Sequence, residues 1–318
     1  MTLAVVFPGQ GSQSVGMQAE LAAASEVVRA TYREASDVLG EDLWRIVSQG
    51  PAEHLNQTAV TQPAMLTAGM AAWRLWRQNH PSQEVIALAG HSLGEYTALV
   101  AAGSIRFADA VTLVARRGEL MQQAAPPGVG AMAAILGLAD EAVGEACERV
   151  AKTGYCAPAN FNAPGQVVIA GEKPAVEAAV AEARALGARR ALLLPVSVPS
   201  HCRLMKPAAE ALVEALAATE IVPPAIPVWH NVDAQPRRTA PAIREALAAQ
   251  LHQPVLWTAV VEALAAAGAR RYLECGPGRV LSGLVKRILR DAEVSSLETP
   301  TDFTLPEPQT HPAGERSR

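Results

Sequence analysis

Short apolar blocks alternate along the chain with longer stretches in which apolar residues recur every three or four positions. Leu3–Phe7, LAVVF, is β-rich, stops at Pro8-Gly9 and reads as a buried strand. Helical periodicity follows over 17–39 and 63–79. A second apolar run at 85–89 ends at Gly90, and an apolar helix pattern begins at once over 93–102. Strand, turn and helix repeating in this way predict an α/β fold around a parallel sheet.

The stretch 128–198 has another texture. It reads as a strand at 131–136, a helix at 139–152, a hairpin over 157–170 turning at Asn162-Ala163-Pro164-Gly165, a helix at 173–186 and a strand at 191–198. The order β-α-β-β-α-β is that of a ferredoxin-like unit. Pro126-Pro127-Gly128 marks its entry, and strands resume afterwards at 227–232 and 272–275. The pattern therefore predicts an α/β parallel-sheet domain over 1–127 and 199–292, with a ferredoxin-like (βαββαβ) subdomain inserted at 128–198. From 293 to 318 the chain is rich in Pro, Thr, Ser and Glu and is expected to be a disordered tail.

Composition narrows the function. Half of the 318 residues are hydrophobic, 4% are aromatic and 18% charged, which suits a globular core filled by Ala, Leu and Val. A net charge of −4 provides no overall basic field for nucleic acid or anionic lipid. No uncharged apolar run is long enough to span a membrane, and the N-terminus lacks the basic region of a signal peptide, so a cytoplasmic location is expected. The four cysteines, at 147, 156, 202 and 275, have no metal-ligand spacing and are expected to be buried free thiols. No motif demands a metal or a bound cofactor.

Gly90-His91-Ser92-Leu93-Gly94 matches G-x-S-x-G between an apolar run and a helix, the context of a nucleophile elbow. The amide of Leu93 would then face a developing oxyanion. The competing reading is a glycine-rich turn with an idle serine. A serine needs a base, and seven histidines are available. His54, His80 and His311 lie in polar or tail-like surroundings, and His91 lies inside the elbow itself. His201 follows the last strand of the inserted unit, where domains meet, while His230 and His252 remain competitors; spacing alone does not choose among the three. The glycine-rich start, Pro8-Gly9-Gln10-Gly11-Ser12-Gln13, fails as a dinucleotide fingerprint because position 14 is serine. It is either a plain turn or, through the Gln10 amide, a second oxyanion donor.

Six segments occur in one order: GQGSQ at 9–13, GHSLGEY at 90–96, Arg116-Arg117 before Gly118, NFNAPGQVVIAG at 160–171, VPSH at 198–201 and QLHQPVLW at 250–257. Together they resemble the malonyl-CoA:acyl carrier protein transacylase family of bacterial type II fatty-acid synthesis, over residues 3–290. The resemblance implies an α/β-hydrolase-like fold for the larger domain, Ser92 as nucleophile and His201 as general base. It also implies the main-chain carbonyl of Gln250 as acceptor for the imidazole N–H, and the amides of Gln10 and Leu93 as oxyanion hole. Arg117 is then the residue that selects malonyl groups, since a planar guanidinium binds a carboxylate through two parallel hydrogen bonds. Arg116 suits a solvated helix face. His91 and Asn160 are further candidate substrate-binding residues.

The partners implied are malonyl-CoA and acyl carrier protein, with no nucleic acid, no membrane and a monomer as working assumption. Carrier proteins of this class are acidic, so a local basic surface is needed. Lys286 and Arg287, in a sequence cluster with Arg270, Arg271 and Arg290, are the docking candidates; ordinary solvated helix charge is the competing reading. The alternatives are a free-standing malonyl transferase of a polyketide synthase, an acyl-ester or thioester hydrolase on the same scaffold, a malonate decarboxylase subunit, and an idle carrier-binding module.

Overall fold

A computed structural model describes residues 2–126, 128–196 and 198–304. Among them nine strands follow in chain order: β1 (Leu3–Phe7), β2 (Val85–Gly90), β3 (Gly130–Leu136), β4 (Cys156–Ala163), β5 (Gln166–Glu172), β6 (Arg190–Leu193), β7 (Val228–Trp229), β8 (Arg271–Cys275) and β9 (Glu293–Leu297). They form two sheets. The larger has the order β7-β2-β1-β8-β9, with every neighbouring pair parallel. This is the predicted mixed α/β fold with a parallel sheet.

β1 lies in the middle of that sheet, and its five residues are all buried. Alternate residues point to opposite faces. Leu3, Val5 and Phe7 join a core with Leu88, Leu66 and Val114. Ala4 and Val6 face the other layer, made by Val260, Val261, Leu281 and Val285. The helices Glu26–Leu39, Thr58–Asn79, Leu93–Ala101 and Phe107–Ala124 cover the first face, and Trp257–Ala266 and Val280–Ile288 the second. A strand buried on both sides must be apolar throughout, which is why LAVVF shows no polar alternation.

The smaller sheet is antiparallel, in the order β4-β5-β3-β6. The helices Asp140–Arg149 and Lys173–Ala185 pack on one face, against Ala133, Ile135, Val167 and Ile169. The other face carries Met132, Ala159, Val168 and Ala170, which meet Cys202. β4 is tied to the larger body by two main-chain bonds, Phe161 N–H to Val255 O and Val255 N–H to Ala159 O, both 2.9 Å. All four cysteines are free and buried. No helix among the described residues is long and apolar enough to cross a membrane.

Several boundaries differ from the sequence pattern. The helix expected over 17–39 breaks at Ser25, which is extended; the guanidinium of Arg29 takes up the Ala22 carbonyl freed there. The helix expected from 63 begins at Thr58, one turn earlier, with the Ala59 amide bonded to Gln122 Oε1 at 2.7 Å, so that Pro63 falls inside it. The strands expected over 191–198 and 227–232 shorten to Arg190–Leu193 and Val228–Trp229, where a partner strand ends their pairing.

The largest correction concerns the tail. Residues 293–304 are not a loose extension: β9 pairs in parallel with β8 from Arg271 opposite Glu293 to Cys275 opposite Leu297. Leu297 and Phe303 are buried, and Asp302 Oδ2 accepts from the Glu298 and Thr299 amides. Main-chain pairing and two apolar anchors order a segment whose composition is polar. Residues 305–318 lie outside the described residues.

A chain ending at Asp291 loses both anchors. Burial of each is worth about 1.5–3 kcal/mol, so its thermal midpoint should fall by roughly 10 °C. An unchanged midpoint in scanning calorimetry would show that β9 adds nothing to stability.

Candidate active site

The turns after β1 and β2 are packed together too tightly for side chains at three positions. A Cβ on Gly90 would lie 1.9 Å from the Gly94 carbonyl, one on Gly94 2.0 Å from Phe7 O, and one on Gly9 2.3 Å from His91 O. Between these glycines Ser92 adopts φ +50° and ψ −107°, a conformation that costs about 1–3 kcal/mol. Its surroundings hold it there. Its N–H donates to Asn231 Oδ1 at 2.7 Å, and its carbonyl accepts from Gln250 Nε2 at 3.0 Å. Asn231 Nδ2 in turn donates to Gly90 O at 2.8 Å. The hydroxyl is thereby presented at a helix N-terminus, facing a cavity of about 780 Å³.

His201 reaches that hydroxyl from the seam between the sheets. It is also at positive φ, +60°, and its amide donates to Leu251 O at 3.0 Å. Its Nε2 lies 2.7 Å from Ser92 Oγ, and its Nδ1 lies 2.7 Å from the main-chain oxygen of Gln250. A carbonyl only accepts, so Nδ1 carries the ring proton and Nε2 offers its lone pair to the serine hydroxyl. Burial, and then the charge of Arg117, push the imidazole pKa down to about 3, against the pull of the Gln250 carbonyl. The ring is a neutral base.

Arg117 lies on the helix Phe107–Ala124 and is only 1% exposed. Its neighbour Gly118 lets that helix approach the start of Thr58–Asn79; a Cβ there would lie 2.6 Å from Ala59 Cα. Nη1 donates to Gln62 Oε1 at 2.8 Å, and Nη2 to Gln250 Oε1 at 3.0 Å and, at 3.3 Å, to Ser92 Oγ. The guanidinium also faces the Tyr96 ring, 5.3 Å from its centroid. Burial lowers its pKa, and the nearby Tyr96 and Glu95 oppose that. The result is a hydroxyl, a neutral imidazole and a cation converging on one cavity: the parts of an acyl transfer to serine from a substrate with a free carboxylate.

Comparison with known proteins agrees. Residues 4–301 match the acyl transferase domain family. The malonyl CoA-acyl carrier protein transacylase of Escherichia coli K12 is 55% identical over 94% of this chain and 96% of its own length. That of Bacillus subtilis is 42% identical over 95% of each. The chain belongs to the malonyl CoA-acyl carrier protein transacylase family. Among solved structures, an acyl carrier protein S-malonyltransferase from Vibrio cholerae superposes with a TM-score of 0.92, at 53% identity over 96% of this chain and 99% of that one. A type II PKS acyl-carrier protein in complex with its malonyl-transacylase provides a second likeness, with a TM-score of 0.94 and 52% identity over 96% of this chain and 98% of that one.

The remaining residues singled out in the sequence fall around this transacylase cavity. Gln10 and Leu93 both line it, and among the described residues neither amide has a protein acceptor. Asn160 lines it and is buried. His91 Nε2 lies 2.8 Å from Asn162 Oδ1, and its ring packs on Trp257. Burial lowers the pKa of His91 as well. The competitors of His201 are elsewhere: His230 is wholly buried against Glu95, and neither it nor His252 lines the cavity. Arg116 points outward and pairs with Glu119.

The basic cluster divides. Arg287 bonds Gln166 Oε1, and Gln166 lines the cavity, so Arg287 is at its rim. Lys286 instead donates to Ala292 O at 2.6 Å, Arg270 to the Ala265 and Ala269 carbonyls, and Arg271 pairs with Glu293.

Sequence reasoning missed Gln62, Glu95, Asn162 and Asn231. Gln62 carried a usable signal, a lone amide at the head of the apolar run Pro63-Ala64-Met65-Leu66. Asn162 and Asn231 touch the site through contacts spanning 71 and 139 residues, and the carboxylate of Glu95, three residues from Ser92, does so through Gln250, 155 residues away.

Between its unfolded value of 6.5 and its folded value of about 3, the His201 ring takes a proton only in the unfolded chain. Acid in that window therefore favours unfolding, while above it neither state holds the proton. The His201 ring signals in NMR should stay those of a neutral imidazole as the pH falls through 6.5; a midpoint at 6.5 would mean an exposed ring.

Proposed function

We propose that this protein transfers a malonyl group from malonyl-CoA to the phosphopantetheine thiol of acyl carrier protein through an ester on Ser92. The observation that carries this reading is Arg117, a buried cation 3.3 Å from the serine hydroxyl that His201 engages at 2.7 Å. A buried guanidinium beside a nucleophile favours an acyl group that brings its own carboxylate, and it penalises acetyl, which would leave the charge unmatched.

Ser92 Oγ attacks the thioester carbon while His201 Nε2 takes the hydroxyl proton. The carbonyl oxygen gains charge between the amides of Gln10 and Leu93; one such donor is worth about 2.7–4 kcal/mol of barrier. The C–S bond breaks, CoA leaves as a thiolate, and His201 returns the proton to that sulfur. The malonyl-serine ester remains, its carboxylate on Arg117. A carrier thiol then gives its proton to His201 and attacks the ester carbon, and Ser92 leaves and recovers the proton. Gln250 orients the imidazole through its carbonyl. His91, held by Asn162, and Asn160 border the acyl chain.

The organisation proposed with this chemistry is a hydrolase-like body, 1–127 and 199–292, carrying a ferredoxin-like subdomain at 128–198. The strand order and two helices of the smaller sheet support it. Its Met132, Val168 and Leu194 line the same cavity as Ser92 and supply apolar surface there. β9 extends the first unit to include 293–297. A cytoplasmic setting and a fatty-acid carrier complete the reading. The likeness to a transacylase bound to a PKS carrier protein favours a polyketide carrier as the second one.

Intact-mass analysis after mixing with malonyl-CoA, acetyl-CoA or methylmalonyl-CoA tests the chemistry. A malonyl adduct is expected that disappears in Ser92→Ala and gives way to acetyl in Arg117→Ala. An adduct surviving Ser92→Ala would sink the proposal.

Arg287, on the rim, is the better-placed docking residue; Lys286 has its ammonium on a main-chain carbonyl. Arg287→Glu should slow transfer to carrier protein about tenfold at low salt and leave ester formation from malonyl-CoA unchanged. Equal loss in both half-reactions would reject docking there.

A further inference from the structure

Glu95 is a buried charge that the transfer steps leave unused. It occupies the first turn of the helix after the elbow and has no exposure. Oε1 accepts from His230 Nδ1 at 2.7 Å; Oε2 accepts from the Asn231 amide at 2.8 Å and from Gln250 Nε2 at 2.9 Å. The last bond decides which way the Gln250 side chain faces. With its NH2 end on the carboxylate and on Ser92 O, its oxygen is left for Arg117 Nη2 at 3.0 Å. The opposite orientation would set N–H against guanidinium N–H and oxygen against carboxylate.

We infer that Glu95 is the resting counter-charge of Arg117, held one amide away through Gln250, so that the guanidinium stays charged before substrate arrives and free to pair with the acyl carboxylate. It is a positioning residue for Arg117 and, through the same glutamine, for His201.

Two further observations carry this. Arg117 has no carboxylate within ion-pair distance among the described residues, although its guanidinium is wholly buried and its Nε has no partner. A cation in that position needs a compensating charge nearby. Nor does His230 cancel Glu95. Its Nε2 is buried with no partner among the described residues, so a second ring proton would bury an N–H with no acceptor. One N–H of His230 meets the carboxylate at Oε1, and Oε2 faces the Gln250 amide that leads to Arg117. Among the influences on Arg117, burial pulls its pKa down while Tyr96 and Glu95 hold it up.

The inference rests on Arg117 as the partner of the acyl carboxylate, and its first test involves no substrate. Glu95→Gln is near-isosteric: the side-chain oxygen still accepts from Asn231 and Gln250, while the new NH2 forces the His230 proton onto the unpartnered Nε2, a cost common to every background, so the difference between backgrounds reads the pairing. Alone, Glu95→Gln should lower the thermal midpoint of the full chain. In an Arg117→Ala background, Glu95 is an anion without its cation, and the same substitution should lower the midpoint by several degrees less, or raise it. A fall of equal size in both backgrounds overturns the inference, whether or not the enzyme loads malonyl groups. If Glu95→Gln alone does not fold, a folded double variant supports the pairing and an unfolded one overturns it. In steady-state assays, Glu95→Gln should lower KM for malonyl-CoA about fivefold and leave KM for acetyl-CoA unchanged, because the substrate carboxylate replaces the missing charge. Parallel changes for both substrates overturn the inference; a purely structural role would produce them.

Discussion

A guanidinium buried among amides is the constraint on which the rest of this structure turns. Arg117 is held by the side-chain oxygens of Gln62 and Gln250 and by the face of Tyr96. Amide oxygens satisfy N–H groups without neutralising them. The charge is therefore kept within reach of the serine, and it shapes its neighbours: it contributes to holding the His201 ring neutral, which is the state in which an imidazole accepts a proton. One buried cation thus couples recognition of a substrate carboxylate to the readiness of the base.

The fold meets this demand by crowding. Arg117 comes from one helix, Gln62 from the next, Ser92 from a strand–helix turn and Gln250 from the end of the helix Ala240–Gln250. Bringing four main chains this close leaves no room for Cβ atoms at Gly9, Gly90, Gly94 and Gly118. The positive φ at Ser92 and His201 is maintained because hydrogen bonds from distant segments over-determine both backbones. The antiparallel sheet contributes Met132 and Val168 to the cavity together with Asn160, Asn162 and Gln166, so that apolar and amide groups share that side.

What was legible in the chain follows from range. β1, β2 and the helix after Ser92 announce themselves, because local periodicity and a glycine turn are written in consecutive residues. The order of strands and helices in 128–198 was legible for the same reason. The tail was misread because composition reports on side chains, whereas β9 is ordered by its main chain against β8, with only Leu297 and Phe303 as anchors. Motif spacing reached Ser92 and left His201, His230 and His252 open; resemblance, not periodicity, pointed to His201. The amides and the carboxylate behind the site were illegible, because Glu95 and Gln250 meet across 155 residues and neither looks unusual beside its sequence neighbours.

The same constraint explains why a carbonyl, rather than a carboxylate, orients the histidine. A carboxylate in the place of Gln250 O would stabilise the imidazolium better. It would also put a full negative charge beside Nδ1, close to a guanidinium that shares Gln250 and Ser92 Oγ with the imidazole. Arg117 would then have a fixed partner, and a substrate carboxylate would have to displace it. A main-chain carbonyl fixes the tautomer at 2.7 Å without competing for the cation. The weaker base is the condition for a free guanidinium, and selectivity for a charged acyl group follows from keeping formal negative charge out of direct contact with both.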